Sequence, residues 1–588
     1  MSGNPGTFCT MNYIALGGGD MRDSVDPHSA YSISNGSTGG SYYPDVVMGN
    51  MEIPKSGEWY FEYLSNDEYY SGAGIQPINH FRENSGTDTS RYREGGYLTK
   101  QEREYFEDDS YLGQWTANDG NNMSNDDVLA YYINDGVVKL YHEGHLVVTF
   151  TKAMTHSDNI KKQYFPTTVS DGNYTASSAV IMNFGQDSTF NNYKTSGSGN
   201  YSDANGYGDF YYQPPGNALA LCKANLPLAD AFDLAQDGHT NQHFDVISYT
   251  GNGGTQAISG LNFQPDLVWI KATTGGTDHA LFDSTRGVTK RLRPSGSAAA
   301  EDTISGVTAF NSDGFTLGSH ADCNDNSDTF VAMCWKVGGG TTVNNTDGTI
   351  TGGSTVQANQ TAGFSIVKWT SDNTNGRTVG HGLSEAPEFI ISKPYSASTW
   401  SWHVFHYYKG SVGKFNFQNS PLGGHSAGTS TYGANPTATV FNVGNTGNLH
   451  PNNTTTDVIS YCWHSVEGFS KFGYYIGSDG SGDHGNAFIH CGFKPKFIFV
   501  KRASGSSTTY GWINFIQYND EVQFNDTGGQ SVGNFWIDQS VVMSDNYDVH
   551  ITSNGFKFGG TNVNHSNSGE EYIFGAWADL PQKYANAT

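Results

Sequence analysis

Glu58 and Glu62, in the run GEWYFEY (57–63), are the first residues whose type and pairing invite a reaction. Two carboxyls across a glycosidic bond are the machinery of glycoside hydrolysis. On one face of a strand, residues four apart sit about 13 Å apart at ~3.3 Å per residue. Retaining glycosidases hold their carboxyls about 5–5.5 Å apart and inverting ones about 6.5–9.5 Å, so this pair alone does not make that site. GHSAG (424–428) fits the nucleophile-elbow pattern, which needs a strand before it and a helix after. Its flanks, NSPLG and TSTYG, are loop sequence. ADCNDNSD (321–328) and SDGSGDHGN (478–486) carry enough oxygens for Ca²⁺, but lack EF-hand spacing, and such Asp/Asn/Gly clusters are ordinary turn chemistry. The histidines show no paired zinc spacing, and no cofactor or metal is implied.

TWSWHVFHYYKG (399–410) is the richest aromatic run. Alternation puts Trp400, Trp402, Val404 and His406 on one face and His403, Phe405 and Tyr407 on the other. Aromatics with polar tips suit stacking on sugars and protein interfaces, which makes Trp400, Trp402, His406 and Tyr407 candidate contact residues. A strand buried on both faces would carry the same residues.

These candidates need a frame, and the chain repeats one three times. FQPDLVWIK (263–271), EAPEFIISK (385–393) and FKPKFIFVK (493–501) are each preceded by an aromatic marker run starting at Phe244, Phe364 or Phe469. Each is followed by a closing run, DTFVAMCWK (328–336), DVISYCWHS (457–465) or EYIFGAWAD (571–579). FNSDGFTLGS (310–319) has a counterpart in ITSNGFKFGG (551–560). A spacing near a hundred residues exceeds the roughly 20–50 of solenoid repeats and fits whole β domains. The proline run is apolar on both faces, so it belongs between a packed sheet and a second surface. Its opening proline donates no ladder hydrogen bond and suits a first position. Between proline run and closing run, HALFDSTRG, WHVFHYYKG and WINFIQYND differ most, which reads either as a recognition surface on a constant scaffold or as drift on a solvent face.

The 588 residues include 73 Gly and 14% aromatics but only 15% charged residues, which describes short strands joined by tight turns. A net charge of −26 excludes a nucleic-acid partner, which needs a basic footprint. The densest basic stretch, Arg286 to Arg293, reads as a solvated strand end. Six dispersed cysteines without CxxC spacing imply no disulfide framework and assembly in a reducing cytoplasm. No secretory leader or membrane span is expected.

Ahead of the repeats, VLAYYIN-DG-VVKLYH-EG-HLVVTF (128–150) predicts three strands with two tight turns. The order GEWYFEY, this hairpin and VIMNFGQDSTF (180–190) resembles a SPRY domain, a bent two-sheet β-sandwich. Gly57, Trp59, Tyr60, Glu62, Asn183, Phe184, Gly185, Gln186 and Phe190 hold matching positions, over about 50–195. A tyrosine-rich insertion (80–112) departs from that pattern; as a long loop it makes Tyr92, Tyr97 and Tyr105 further candidate contact residues. The first repeat also resembles a repeat common in uncharacterised marine bacteriophage proteins, often following a SPRY-like sandwich. That resemblance implies a virion component, a tail fibre or other appendage, with no catalytic residues.

The sequence therefore predicts an all-β chain of tandem β-sandwich domains: a SPRY-like sandwich (1–213), a connector (214–242) with a helix around Ala229 to Ala235, repeats at 243–340, 363–467 and 468–588, and a Gly/Thr/Asn linker (341–362). The expected role is non-enzymatic attachment in a virion assembled in the host cytoplasm. Its partners would be other tail or capsid proteins and host-surface polysaccharide or protein, with a homotrimer expected for a fibre. A head decoration and a polysaccharide-degrading enzyme are the alternatives.

Overall fold

The computed structural model describes residues 8–9, 11–17, 45–49, 51–65, 71–77, 97–100, 104–107, 110–116, 127–156, 163–170, 180–190, 192–195, 200–222, 224–226, 240–295, 299–301, 304–350, 352–396, 402–408, 411–412, 434–444, 452, 455–477, 488–503, 513–516, 533–536, 549–552, 554–558, 565, 567 and 570–579. The fold is all-β, and the longest helix among these residues is the four-residue Ala321–Asn324. Two compact units are formed, one from residues 1–228 with 478–490 and 586–588, the other from 229–477 with 491–585.

The first unit has two antiparallel sheets. One runs Met11–Gly17, Asp45–Gly49, Tyr164–Ser170, Ser71–Pro77, Tyr97–Lys100, Glu104–Glu107, Ser110–Gln114. The other runs His145–Thr149, Val137–His142, Val128–Asn134, Glu58–Ser65, Val180–Asn183. The hairpin turns form as the sequence predicts, with Asp135 and Glu143 at positive φ before glycine. The insertion does not stay a loop: its last part is a three-strand meander that extends the first sheet. Nor is 214–242 only a connector, because Leu219–Ala220 pairs in parallel with Trp59 and Tyr60. The helix expected near 229–235 lies outside the described residues.

In the second unit every repeat builds the same four-strand frame, in the order marker, closing, proline, middle strand. The frames are Phe244–Thr250, Thr329–Trp335, Leu267–Ala272, Ala280–Asp283 in the first repeat. They are Phe364–Thr370, Asp457–Trp463, Phe389–Pro394, His403–Tyr408 in the second, and Ser470–Ile476, Glu571–Ala578, Pro495–Arg502, Ile513–Ile516 in the third. The register is shared: Trp335 faces Leu267, Trp463 faces Phe389 and Trp577 faces Phe497. The supposed linker contributes to the second frame, since Val343–Asn344 and Thr355–Asn359 add two strands beside Phe364–Thr370. Its Val and Thr content supports strands despite the surrounding glycines.

Each frame is apolar on both sides, as the alternation requires. In the first repeat Val268, Ile270, Ala332 and Cys334 pack against Ile258, Phe315 and Leu317 of a small outer sheet. In the second, Ile390, Trp369 and Cys462 pack against Val379, Phe441 and Val443. The opposite faces do not end at three separate surfaces. Leu267, Trp269 and Trp335, then Phe389, Ile391 and Trp463, then Phe497, Phe499 and Trp577 belong to one cluster. The first and second repeats thus keep a core of their own and take part in a second, common one. The repeats close on one another around a shared aromatic core.

Trp335, Trp463 and Trp577 mark its middle, one from each repeat, with ring centres 6.4, 5.5 and 6.0 Å apart and planes inclined at 63–75°. Their indole N–H groups have no hydrogen-bond acceptor, and edge-to-face packing turns ring edges toward π faces instead. Gly575 stands where the other closing strands have Met333 and Tyr461, because a Cβ there would collide with the Phe499 ring. A small apolar cavity of about 20 Å³ remains among these aromatics. Polar seams complete the closure. Tyr461 of the second repeat donates to Asp283 of the first at 2.7 Å, and Trp402 Nε1 to the Arg293 carbonyl at 2.9 Å. His406 of the second repeat lies 3.1 Å from the Phe574 carbonyl of the third, and Lys496 of the third pairs with Asp245 of the first at 2.7 Å.

Candidate functional site

Among the described residues, Glu58 and Glu62 are occupied in holding these elements. Glu62 is fully buried and accepts from Tyr211 N (2.9 Å), Tyr212 N (2.8 Å), Asn183 Nδ2 (3.0 Å) and Tyr60 Oη (3.1 Å). Burial pushes its carboxyl up to about 7 while the four donors pull it down. With every lone pair engaged and no route to solvent, it anchors the loop after Phe210 to the central strand. Glu58 accepts from Tyr132 Oη at 2.6 Å and Asn217 N at 3.0 Å. Asn183 faces Glu62 in register, so the SPRY-type positions meet at one hydrogen-bonded junction.

Trp402 and His406 are buried and Tyr407 is half-buried. Trp402 and Val404 enter the shared core while Phe405 and Tyr407 pack on the second repeat's own core. The strand is thus buried on both faces, and Trp402 and His406 are corrected from exposed contacts to interior ones. Trp400 lies outside the described residues. The same geometry explains why the middle strands differ. Asp283 and His406 occupy equivalent places, opposite Leu267 and Phe389, and each bonds the neighbouring repeat's closing strand. Their partners differ, a phenol and a carbonyl, so the residues differ. Sequence spacing carried no sign of this, because each partner lies over 160 residues away.

The basic stretch is also interior. Arg286 and Arg291 are buried; Arg291 pairs with Glu301 at 2.5 Å and with Asp322, and Arg293 pairs with Glu301. Asp322 is thereby used, Asn324 binds the turn at Asn252 and Gly254, and Asp328 accepts from Thr274. Among the described residues no group of three or more His, Cys, Asp or Glu could hold a metal ion. GHSAG and 478–486 lie outside the described residues. No helix among the described residues is long and apolar enough to cross a membrane.

Of the insertion, Tyr97 is buried, with its hydroxyl donating to the Lys152 carbonyl at 2.8 Å; Tyr105 is half-buried against Phe150 at 6.0 Å; Tyr92 lies outside the described residues. Among the described residues, the most exposed aromatic side chain lies outside these candidates. Tyr111 is 51% exposed and Leu112 38%, on Ser110–Gln114, the last described strand of its sheet. Ser110–Gln114 pairs antiparallel with Glu104–Glu107, so strands form where the charged stretch reads as loop.

Several histidines impose a pH dependence on the second unit. Burial lowers His381 and His406 to about 4 and His565 to about 3, from an ordinary 6.5. Groups depressed in this way are neutral when folded and take up protons on unfolding, so stability is complete above 6.5 and is lost as pH falls toward 4. Burial also lowers Lys393 to about 7, with the same sign at higher pH. The thermal midpoint of this unit is expected to fall steadily from pH 8 to pH 4.5. A midpoint that stays flat or rises over that range would contradict these burials.

Residues 239–581, the three repeats taken together, match the family model described as a domain of unknown function, DUF7483. The chain belongs to the DUF7483 family. The family's extent coincides with the shared-core unit, so the DUF7483 domain is the closed set of three repeats rather than one of them. No curated protein matches the chain. Among solved structures, the TRIM65 PSpry domain is 12% identical, covers 23% of this chain and 68% of its own, and has a TM-score of 0.18. The carbohydrate-binding module CBM66 from Bacillus subtilis is 12% identical over 26% and 89%, with a TM-score of 0.16. The Emp47p carbohydrate recognition domain is 6% identical over 29% and 93%, with a TM-score of 0.18. With scores this low, the sandwich architecture rests on the strand pairing described above.

Proposed function

We propose that this DUF7483 protein is a non-enzymatic binding and structural component of a bacteriophage particle, a tail fibre or receptor-binding appendage that touches the host surface. The observation that carries the non-enzymatic reading is where the ionisable groups are spent: Glu62, His406 and the Asp283–Arg286 pair are buried in bonds that hold strands together. The phage assignment is supported by the sequence resemblance alone. The three repeats fill their own threefold-like core, so assembly into a fibre would use other surfaces, and the binding surface we favour is the Tyr105–Leu112 hairpin. An aromatic ring beside an aliphatic side chain, both exposed, suits stacking on a sugar ring or capping a protein loop.

Purified chain carrying Tyr111→Ser and Leu112→Ser is expected to bind host cells or envelope polysaccharide at least about tenfold more weakly, as loss of an aromatic anchor does. Multivalent display would enlarge that difference. Unchanged binding would remove this hairpin from the proposal. Immunogold labelling of intact particles tests the rest: no label on the virion sinks the appendage reading.

A further inference from the structure

Asparagine followed by glycine is a step at which a chain can modify itself, and this chain has five of them. With no side chain on the second residue, nothing shields the carboxamide from the next backbone nitrogen. The fold decides whether that nitrogen and the carboxamide are held elsewhere. Three of the steps are held. Asn205 Nδ2 donates to Asn225 Oδ1 at 2.8 Å, and Gly206 N donates to the Asp203 carbonyl at 3.0 Å. Asn252 Oδ1 accepts from Gly254 N at 2.8 Å and Asn324 Nδ2 at 3.1 Å, while Gly253 N donates to the Asn324 carbonyl at 2.9 Å. Asn554 is buried; its Oδ1 accepts from Thr552 Oγ1 at 3.1 Å and its carbonyl from Cys491 N and Gly492 N. Asn35 lies outside the described residues.

Asn375–Gly376 differs from all three. It lies in the turn between Phe364–Thr370 and Arg377–Gly380, with Asn375 exposed and neither residue hydrogen-bonded to any described residue. Beyond the two chain neighbours of Gly376, no atom comes within 4 Å of where a Cβ would stand. The flanks, by contrast, are fixed. Asn452, fully buried, donates to the Thr374 carbonyl at 2.7 Å, and Arg377 Nε donates to Asp372 Oδ2 at 2.7 Å. One unbonded peptide is thus suspended between two anchored ends. We propose that Asn375 is a self-modification site, converted in the folded protein to aspartate and isoaspartate through a cyclic imide. Gly376 N gives its proton to solvent base and attacks Asn375 Cγ. The new N–Cγ bond closes a five-membered ring, and the side-chain nitrogen leaves as ammonia. Water then opens the ring at either carbonyl. Breaking the new N–Cγ bond gives aspartate; breaking the original peptide bond gives isoaspartate, with the main chain running through Cβ. The sum consumes one water and releases one ammonia, without oxidant, metal or enzyme. Either product adds one negative charge beside the Asp372–Arg377 pair.

The full chain, held folded at mildly alkaline pH and then digested, is mapped by mass for peptides whose Asn amide has become an acid. Asn375 is expected to convert at least about fivefold faster than Asn205, Asn252 or Asn554, whose hydrogen bonds must open before attack. Its peptide should split into two products of equal mass, aspartyl and isoaspartyl, and the rate should fall in mildly acidic buffer. The same chain unfolded in urea is the reference. There every Asn–Gly step is expected to convert at a similar rate, so a difference in the folded chain belongs to the fold. Asn375→Gln, whose attack would close a larger ring, is expected to fold and to leave this peptide unmodified. Conversion of Asn375 in the folded chain no faster than the three bonded steps overturns the proposal. So does an Asn375 that stays an amide while the unfolded reference converts. Should Asn375→Gln not fold, the folded and unfolded parent chains decide alone.

Discussion

Trp577→Ala is expected to cost the three-repeat domain about 3–5 kcal/mol, the range for removing a large aromatic from a packed core. Trp577 is 2% exposed and touches rings from every repeat: Trp335 at 5.5 Å, Trp463 at 6.0 Å, Phe497 at 5.3 Å, Phe472 at 5.4 Å and Phe244 at 6.0 Å. The void it leaves would join the small cavity already among these rings, and the sheets cannot collapse to fill it without breaking their common register. Trp577→Phe should lose much less. The measurement is urea unfolding of the full chain, followed by hydrogen exchange resolved by repeat. A shared core requires that strands of the first and second repeats lose protection along with those of the third. If only residues 468–581 respond, the repeats are independent modules and the shared core is wrong.

What that experiment tests is the part of the fold that sequence left hidden. The strands themselves were legible: proline, marker and closing runs form where their composition places them, and Trp335 and Cys334 point to opposite faces as alternation demands. That the proline strand is buried on both sides was legible too. What covers its second face was not, because Leu267 and Trp269 read the same whether the cover is a private sheet or a neighbouring repeat. The same ambiguity misplaced the contact residues. Trp402 and His406 have polar tips that suit a ligand, and those tips are met instead by the Arg293 and Phe574 carbonyls, one in each flanking repeat. Tyr111 went unnoticed for the reverse reason, since the stretch EREYFEDDSYLG reads as a solvated loop until its strands pair. The Glu62 junction was half visible: the resemblance marked Glu62 and Asn183, but the amides of Tyr211 and Tyr212 come from a segment about 150 residues on.

That junction supports the second large effect. Glu62→Ala is expected to destabilise the N-terminal unit by about 3–5 kcal/mol, because it strands several buried donors at once and each unpaired donor costs about 1–3 kcal/mol. Some relaxation is expected, so the total falls short of four full penalties. Glu62→Gln should rescue little, for its amide nitrogen would turn N–H bonds toward a place where donors already converge. Hydrogen exchange on the full chain separates this from a global effect: strands Glu58–Ser65 and Val180–Asn183 should open while residues 239–581 keep their protection. Retained activity in host binding with a loosened junction would fit a purely structural Glu62. A variant as stable as the parent would mean that the four donors find other acceptors, and that the carboxylate is free for a role this fold does not require of it.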